Sequence, residues 1–475
     1  MAYRNGDRYQ QQLFPKSIEE YISLNDPVRA YDTFVEALNL KELGIELNEN
    51  KVGNSQYNPM VMLKILIYGT AYGFRSSRKL ERATQHNVSF MWLTGGLTPD
   101  HKTISEFRRK NKGVLKNTLK QCAKMCIALN LIEGNTLFTD GTKIRANASI
   151  KHSWTKKRCN EYLKDIDTRI ETILNECDSI DDSEINNNSL IKMNKELEDT
   201  QTLKNKVKEL LAKIEDNDGN PVNAVDPECC RFKSVQGSHA GYNAQTVVDQ
   251  KHGLILNADV VNENNDLNQF ANQIDQANEL LDKKCDIACA DAGYFDTDEL
   301  EKIDKQAIKV IVPTKAQVSK KERKPFAKER FKYDSEKDCY ICPAGNTLRY
   351  SHTQTKTGNR VYRITKANIC YNCIHYKECT SSRDGRTIAE LDNAQVRRKL
   401  EKQYLTPESQ EIYKLRKCKV ELPFGHIKRN LGVSSFLLRG IDGVKAEMAI
   451  LATCFNIARM ISIFGINGII AKLRA

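Results

Sequence analysis

The sequence predicts an α/β protein in which a helical N-terminal domain precedes a core with a mixed β-sheet, and in which a helical hairpin and a cysteine-rich β segment are inserted into that core. Three observations support this prediction. Residues 58–130 have apolar side chains at helical spacing, residues 244–313 alternate between strand-like and helical segments, and two Cys-x-x-Cys pairs follow further along the chain. A chain of 475 residues is long enough for several domains.

The charge balance favours a polyanionic partner, because 73 Lys and Arg residues exceed 61 Asp and Glu residues by a formal net charge of +12. The sequence has no amino-terminal signal pattern, and we predict that its most apolar stretch, residues 446–465, is a core helix and not a membrane span. We therefore expect a cytoplasmic protein with no membrane partner. In such a reducing compartment its 15 cysteines would be thiols or metal ligands.

Residues 1–130 are predicted to form the helical N-terminal domain. Within it, RSSRKLERATQH (75–86) and TPDHKTISEFRRKN (98–111) place basic side chains, including Arg108 and Arg109, on short helices. These basic faces are explained either by exposure to solvent or by contacts with DNA phosphates. The sequence leaves both explanations open.

Residues 155–227 are predicted to form a helical hairpin that follows the first strand. Apolar residues recur at helical spacing in two runs, with Ile166 and Ile170 in the first and Val207 and Leu211 in the second. Such a hairpin can brace a dimer, touch DNA or pack on its own domain. The sequence does not choose among these roles.

The sheet of the core is predicted in two parts, residues 135–154 and residues 228–320. LFTDGTKIR (137–145) begins as a buried strand, and AQTVVDQKHGLILNADVV (244–261) contains two strands about a turn. CDIACADAGYFDTDEL (285–300) is a short strand followed by a helix. Without the hairpin the order is β-β-β-α-β-α-β, and we expect the first strand to lie beside the fourth.

Three acidic residues stand where such a core could bring them together. Asp140 and Asp291 each follow a short apolar run, at the predicted ends of the first and fourth strands, and Glu421 stands in the basic segment YKLRKCKVELPFGHIKRN. Converging carboxylates repel each other unless cations lie between them, so their convergence would indicate a metal site. Taken singly, Asp140 is explained as a turn residue and Glu421 as a salt-bridge partner.

The motifs together resemble those of bacterial insertion-sequence transposases of the DDE type. In chain order they are SSRKLE, PDHKTISEFRR, TDGTKIRAN, GYNAQTVVD, ADAGY, and VELPFGHIKR followed by LLRG. The resemblance covers almost the whole chain, and it implies an RNase H-like catalytic core that is completed by a helical part at residues 401–475. It also implies a bacterial, nucleoid-associated protein that acts as a homodimer on double-stranded DNA.

The resemblance assigns catalysis to Asp140, Asp291 and Glu421, which would hold two Mg²⁺ or Mn²⁺ ions. The implied enzyme cuts DNA at the terminal inverted repeats of an insertion sequence and joins the 3′-hydroxyl ends to target DNA. In related elements a tyrosine and an arginine precede the glutamate, and here they stand one residue further away than is usual. The expected DNA contacts are basic or aromatic residues: Lys143, Arg145, Tyr413, Arg416, Lys428, Arg429, Arg108 and Arg109.

Residues 321–400 form the predicted cysteine-rich insertion. Cys339-x-x-Cys342 and Cys370-x-x-Cys373 have the layout of a structural Zn²⁺ ribbon, in which each pair supplies two thiolates. Buried thiols in a small β subdomain explain the same pattern without a metal.

Two other functions stay open at this point. A DNA-binding protein derived from a transposase that had lost catalysis would usually have lost one of the three acids, and all three are present. A metal-dependent nuclease of the same fold would keep the acids and would not join strands.

Overall fold

The computed structural model describes residues 16–46, 56–181, 187–217, 219–234, 237–319, 325–355, 357–391 and 393–475, and for residues 176–194 and Ser234 it describes the backbone alone. The chain forms two compact units. The first comprises Met1–Asp266, Asn272–Cys285 and Lys417–Ala475, and the second comprises Leu267–Ala271 and Asp286–Arg416.

Helices alone precede the first strand in the described part of the first unit. They are α1 (Pro27–Glu36), α2 (Leu40–Leu43), α3 (Pro59–Ala71), α4 (Ser77–His86), α5 (Val88–Thr94), α6 (His101–Lys110) and α7 (Lys112–Ala128). The side chains of Asp26, Asn58 and Asp100 cap α1, α3 and α6 by accepting hydrogen bonds from backbone N–H groups. The predicted helical N-terminal region is therefore confirmed.

The strands of the first unit are β1 (Thr136–Arg145), β2 (Ser153–Trp154), β3 (Val222–Asn223), β4 (Cys230–Ser234), β5 (Gly237–Asp249) and β6 (Ile255–Val261). Strand β5 pairs antiparallel with β1, β4 and β6, and β2 pairs with β3. The predicted strand pair of residues 244–261 is present as β5 and β6. Strand β4 is an addition that the sequence interpretation did not contain.

Two long helices, α8 (Lys156–Asp181) and α9 (Asn187–Asp216), lie where the sequence predicts a helical hairpin, and the connection at residues 182–186 is outside the described residues. Their apolar side chains form one cluster with the nearby strand β3, with Ile166, Ile170, Val207, Ile214 and Val222 among its members. The apolar stripes of both helices are therefore buried against each other.

Two further helices of the first unit are α10 (Phe270–Leu281), most of which lies in that unit, and, at the C-terminus, the long helix that we number α16 (Ile441–Arg474). By length and composition alone the long helix could cross a membrane, but 56% of its most apolar window is buried. Leu119 of α7, Ile255 of β6 and Phe455 of the long helix share one core cluster. Asn456 also bonds both backbone groups of Ile255, at 2.9 and 2.8 Å. The prediction of a core helix is therefore confirmed.

The second unit contains two sets of strands. The parallel strands β7 (Ile287–Cys289) and β8 (Lys309–Ile311) flank α11 (Thr297–Asp304), and α12 (Lys315–Val318) follows. An antiparallel sheet then has the order β13-β12-β11-β10-β9. Its strands and the remaining helices are β9 (Lys332–Asp334), β10 (Cys339–Ile341), β11 (Thr347–Thr353), β12 (Arg360–Ile364), α13 (Ala367–Tyr371), β13 (Thr387–Glu390) and α14 (Ala394–Tyr404). The chain thus combines parallel and antiparallel pairs, as expected for a mixed α/β protein.

Helix α15 (Pro407–Gly425) contributes residues to both units, and Glu421 belongs to the part in the first unit. Pro423 stands inside the helix, where it removes one backbone hydrogen bond. A π-helical turn, His426–Asn430, follows directly, with a bond of 3.0 Å from the Leu431 N–H to the carbonyl of His426. Such turns are rare and are frequent at functional sites.

Candidate active site

Asp140 lies in the middle of a strand. Strand β1 continues to Arg145, and Asp140 stands opposite Thr246 of β5. The prediction that the strand ends at Asp140 and that Gly141 begins a turn is wrong, because residues 141–145 extend the ladder with β5. Since side chains alternate along a strand, half-buried Asp140 shares one face of the sheet with Thr142.

Lys428 contacts that same face of β1. Its ammonium group donates a hydrogen bond of 2.5 Å to Oγ1 of Thr142. Desolvation lowers the pKa of Lys428, and the negative charge of Asp140 opposes this shift. A carboxylate, a hydroxyl and an ammonium group are thus neighbours on one face, where they can bind a cation and an anionic oxygen side by side.

Glu421 is exposed on α15, and its part of the helix is held by the turn between β5 and β6. Lys419 donates to the backbone carbonyl of Lys251 at 3.2 Å. Gly253 has a positive φ of 68°, and a Cβ built there would lie 3.7 Å from Leu422. The helix segment that carries Glu421 therefore lies close to the β5–β6 turn of the first unit.

Lys143 points to the opposite face of β1 from Asp140. Its ammonium lies 3.7 Å from Oδ1 of Asp266 and 5.4 Å from the centre of the Phe232 ring. Asn243 and Gln245 donate to the same carboxylate oxygen, at 2.7 and 2.8 Å. Burial lowers the pKa of Lys143, and Asp266 opposes this shift. Lys143 therefore lies on the other side of the strand from Asp140, beside Asp266, and its predicted contact with DNA stays a prediction.

The end of β1 is tied to the segment that precedes the long C-terminal helix. The backbone carbonyl of Arg145 accepts from the Phe436 N–H at 2.9 Å, and Asn147 donates to the carbonyl of Leu437 at 2.7 Å. The guanidinium of Arg145 lies 3.3 Å from Nε2 of His239. The TDGTKIRAN and LLRG motifs are therefore in direct contact.

A partly buried ion pair joins the N-terminal helices to the LLRG segment. Arg75 donates to Glu447 at 2.6 Å and to the carbonyl of Ser435 at 2.7 Å, and the two side chains of the pair are only 13% and 11% exposed. The second carboxylate oxygen of Glu447 accepts from the N–H groups of Leu437 and Leu438. The sequence interpretation missed this network, because no local pattern links position 75 to position 447.

The adjacent residues Arg108 and Arg109 have different surroundings. Arg108 donates to the backbone carbonyl of Arg75 at 3.0 Å, and burial lowers its pKa, a shift that Glu447 opposes. Arg109 has a 71% exposed side chain and an ion pair of 3.7 Å with Glu106. Of the two, Arg109 is the one available to an external phosphate.

Asp291 follows strand β7 in the second unit, as the sequence predicts. Its Oδ1 accepts from the N–H of Gly293 at 2.7 Å and so caps the 3₁₀ turn Ala292–Tyr294. This bond holds the carboxyl group at the N-terminus of the turn, where a negative charge is favoured.

Tyr413 and Arg416 lie on α15 in the second unit. The guanidinium carbon of Arg416 is 5.6 Å from the centre of the Tyr413 ring, which also meets Tyr404 edge-on at 5.2 Å. Burial raises the pKa of Tyr413. The phenol is therefore neutral at physiological pH and can donate a hydrogen bond. Arg429, on the π-helical turn, is exposed.

The carboxylates of Asp140, Asp291 and Glu421 are the hard oxygen donors that Mg²⁺ and Mn²⁺ prefer, so their chemistry fits these ions. Asp140 and Glu421 belong to the first unit and Asp291 to the second. Within the described residues, no group of three or more His, Cys, Asp or Glu side chains is already arranged to hold a metal ion.

The predicted zinc ligands are distributed unevenly. Cys342, Cys370 and Cys373 line one cavity of the second unit together with Cys379, whereas Cys339 is buried on β10 and is not among the lining residues. Burial raises the pKa of Cys379, Arg386 opposes this shift, and the neighbouring thiol of Cys370 adds to it.

Two family models match the chain. Residues 341–461 match a transposase DDE domain, and residues 16–110 match a transposase domain family, DUF772. No curated protein matches the chain. A cryo-EM structure of a piggyBac transposase synaptic complex with hairpin DNA matches over 95% of this chain and 79% of that chain, at 10% identity and a TM-score of 0.34.

Proposed function

We propose that the chain is a DDE-type transposase that cleaves DNA at the ends of an insertion sequence and joins the freed 3′-hydroxyl groups to target DNA. Its matches to two transposase family models support this proposal. The observation that supports this most directly is the meeting of Asp140, Thr142 and Lys428 on one face of β1. Glu421, on the helix that precedes Lys428, lies inside the matched DDE domain.

The catalytic acids are Asp140, Asp291 and Glu421, acting as one set within an RNase H-like core. Divalent Mg²⁺ or Mn²⁺ ions bound by these carboxylates would activate the attacking oxygen and stabilise the leaving 3′ oxygen. Asp291 enters this set through its ADAGY motif and its position directly after a strand. The acids form no covalent bond with DNA, so the same site can serve both displacement steps.

Lys428 binds the phosphate beside Asp140. Its ammonium already donates to Thr142, and a phosphate oxygen offers it a stronger, charge-assisted bond. Arg429 follows on the same π-helical turn and contacts the next phosphates of the same DNA strand. Tyr413 and Arg416 stack on or donate to the DNA strand near the cut, and Arg145 contacts an outer phosphate. The protein acts on double-stranded DNA as a homodimer in the bacterial cytoplasm.

A plasmid assay tests the proposal. Purified full-length protein with Mg²⁺ is incubated with a plasmid that carries its gene and the flanking DNA, together with a second plasmid as target. We expect joined molecules whose junctions lie at the outer ends of the element. Nicks without joining would indicate a nuclease, and binding without cleavage would indicate a DNA-binding protein without catalysis. Either outcome would overturn the proposal.

The two neighbouring arginines of α6 should give opposite results in DNA binding. Arg109→Ala in the full-length protein removes one expected phosphate contact, so DNA binding should release about one counterion fewer. The slope of log K for DNA binding against log salt concentration is therefore expected to fall in magnitude by about 1. Its thermal midpoint should not change. Measurement by fluorescence anisotropy on a duplex at several salt concentrations gives the slope.

Arg108→Ala is the matched comparison, because Arg108 donates inside the protein. We expect a lower thermal midpoint and an unchanged salt slope. An altered slope for Arg108→Ala and an unaltered one for Arg109→Ala would mean that the DNA-facing surface of α6 is assigned incorrectly.

A further inference from the structure

One cavity of the second unit has several cysteines among its lining residues. It has a volume of about 30 Å³, and four of the residues around it are cysteines: Cys342, Cys370, Cys373 and Cys379. A cavity of this size has room for a water molecule or a single small ion.

The chain brings the four cysteines together from three segments. Cys342 follows β10 directly, Cys370 lies in α13, and Cys373 comes just after that helix. Cys379 ends a tight turn in which its N–H donates to the carbonyl of His375 at 2.9 Å. The turn contains Lys377 in the left-handed region, with φ of 74°. This conformation is sparsely populated by residues other than glycine.

Two of the sulfur atoms accept backbone hydrogen bonds. The Asn346 N–H donates to Sγ of Cys342 at 3.2 Å, and the Arg386 N–H donates to Sγ of Cys370 at 3.4 Å. These two hydrogen bonds hold the sulfur atoms of Cys342 and Cys370 in place beside the cavity.

The backbone at Gly385 passes close to the sulfur of Cys370. Gly385 has φ of 78°, and a Cβ built there would lie 3.3 Å from Sγ of Cys370 and 2.5 Å from Cγ2 of Ile364. A side chain at this position would therefore push the loop away from the cavity. The arrangement around Cys370 permits only glycine.

Strand geometry separates Cys339 from the cavity. Side chains alternate along β10, so Cys339 and Tyr340 point to opposite faces. Tyr340 belongs to the hydrophobic cluster of this sheet, and Cys342, Cys370 and Cys379 pack against that same cluster. Cys342 thus lies on the face of Tyr340, and Cys339 lies on the other.

We propose that Cys342, Cys370, Cys373 and Cys379 bind one structural Zn²⁺ ion, with Cys379 in the place that sequence spacing assigns to Cys339. As they stand, the described side chains are not a preassembled coordination sphere. Zinc binding therefore requires the thiols to turn toward the ion until each sulfur lies at the Zn–S distance of about 2.3 Å. The ion links the turn after β10, the end of α13 and the turn at Cys379.

The test compares zinc content in full-length variants purified without added metal. We expect about one Zn²⁺ per chain in the wild type and in Cys339→Ser, and a loss of at least about tenfold in Cys379→Ser. Cys379→His should regain zinc, because imidazole is also a zinc ligand. Circular dichroism of each variant shows whether the chain is folded.

A second measurement keeps the proposal testable where a variant does not fold. Wild-type protein is titrated with a mercurial reagent while released zinc is followed with a chromogenic chelator, and protected cysteines are identified by mass spectrometry. Zinc bound to the wild type, together with protection of Cys379 until that zinc is released, would support the assignment. Zinc lost in Cys339→Ser and kept in Cys379→Ser, or a folded wild type without zinc, would overturn it. Neither readout uses DNA, so the result is independent of transposition.

Discussion

Replacing Asp140 or Asp291 by Asn, or Glu421 by Gln, is expected to abolish both DNA cleavage and strand joining, with a loss of about 10³-fold or more in rate. Each change keeps the size of the side chain and removes the negative charge that a divalent cation requires. End binding should persist, because the basic residues that contact phosphates are unchanged. Cleavage of a labelled end fragment in Mg²⁺ and a mobility shift in its absence measure the two properties separately.

Glu411→Gln is the matched control for Glu421→Gln. Both glutamates stand on α15 and are exposed, and Glu411 makes only a surface ion pair with Lys414, at 2.6 Å. We expect this control to cleave and join at the wild-type rate. If Glu421→Gln still cleaves in Mg²⁺, or if the control is equally inactive, Glu421 is not the third catalytic acid.

The largest effect on stability is expected at Glu447. Glu447→Ala removes the acceptor of the Arg75 guanidinium and of the N–H groups of Leu437 and Leu438. Removing one partner of a buried ion pair leaves an uncompensated charge, and it typically costs about 3–5 kcal/mol of unfolding free energy. Urea unfolding followed by tryptophan fluorescence and circular dichroism measures the loss.

Glu215→Ala provides the comparison. Its partner Lys156 lies at 2.8 Å, but both side chains are more than half exposed, so the expected cost is about 0–1 kcal/mol. Glu447→Gln should fall between the two, because its amide oxygen still accepts hydrogen bonds from backbone N–H groups. Equal stability of the two alanine variants would show that the Glu447 network contributes little.

The sequence predicted the classes of the elements well, because their signals are local. Helical spacing in residues 58–130 and the two strands of residues 244–261 depend on neighbours a few positions apart, and both are present. The position of Asp140 within its strand was not predicted. An aspartate followed by glycine is usually a turn, and only pairing with β5 keeps these residues extended.

The roles of individual side chains could not be predicted in the same way, because they depend on contacts between residues far apart in the sequence. Arg108 and Arg109 look equivalent in the sequence, but Arg108 donates to the carbonyl of Arg75 inside the protein, whereas Arg109 is exposed. Lys143 follows Asp140 closely, yet strand alternation places it on the other face, against Asp266. Likewise, Cys339 has the expected Cys-x-x-Cys spacing, whereas Cys379 reaches the thiol-lined cavity through a turn that no motif describes.

The π-helical turn at His426–Asn430 helps to set the direction in which Lys428 points relative to Glu421. That direction depends on the number of residues between the two positions more than on which residues they are. Each residue of a regular helix rotates the chain by about 100°, so deleting one residue here would turn Lys428 away from Thr142. During divergence, this segment should therefore reject single-codon deletions. A deletion scan across residues 426–430, with DNA joining as the selected trait, would reveal that intolerance.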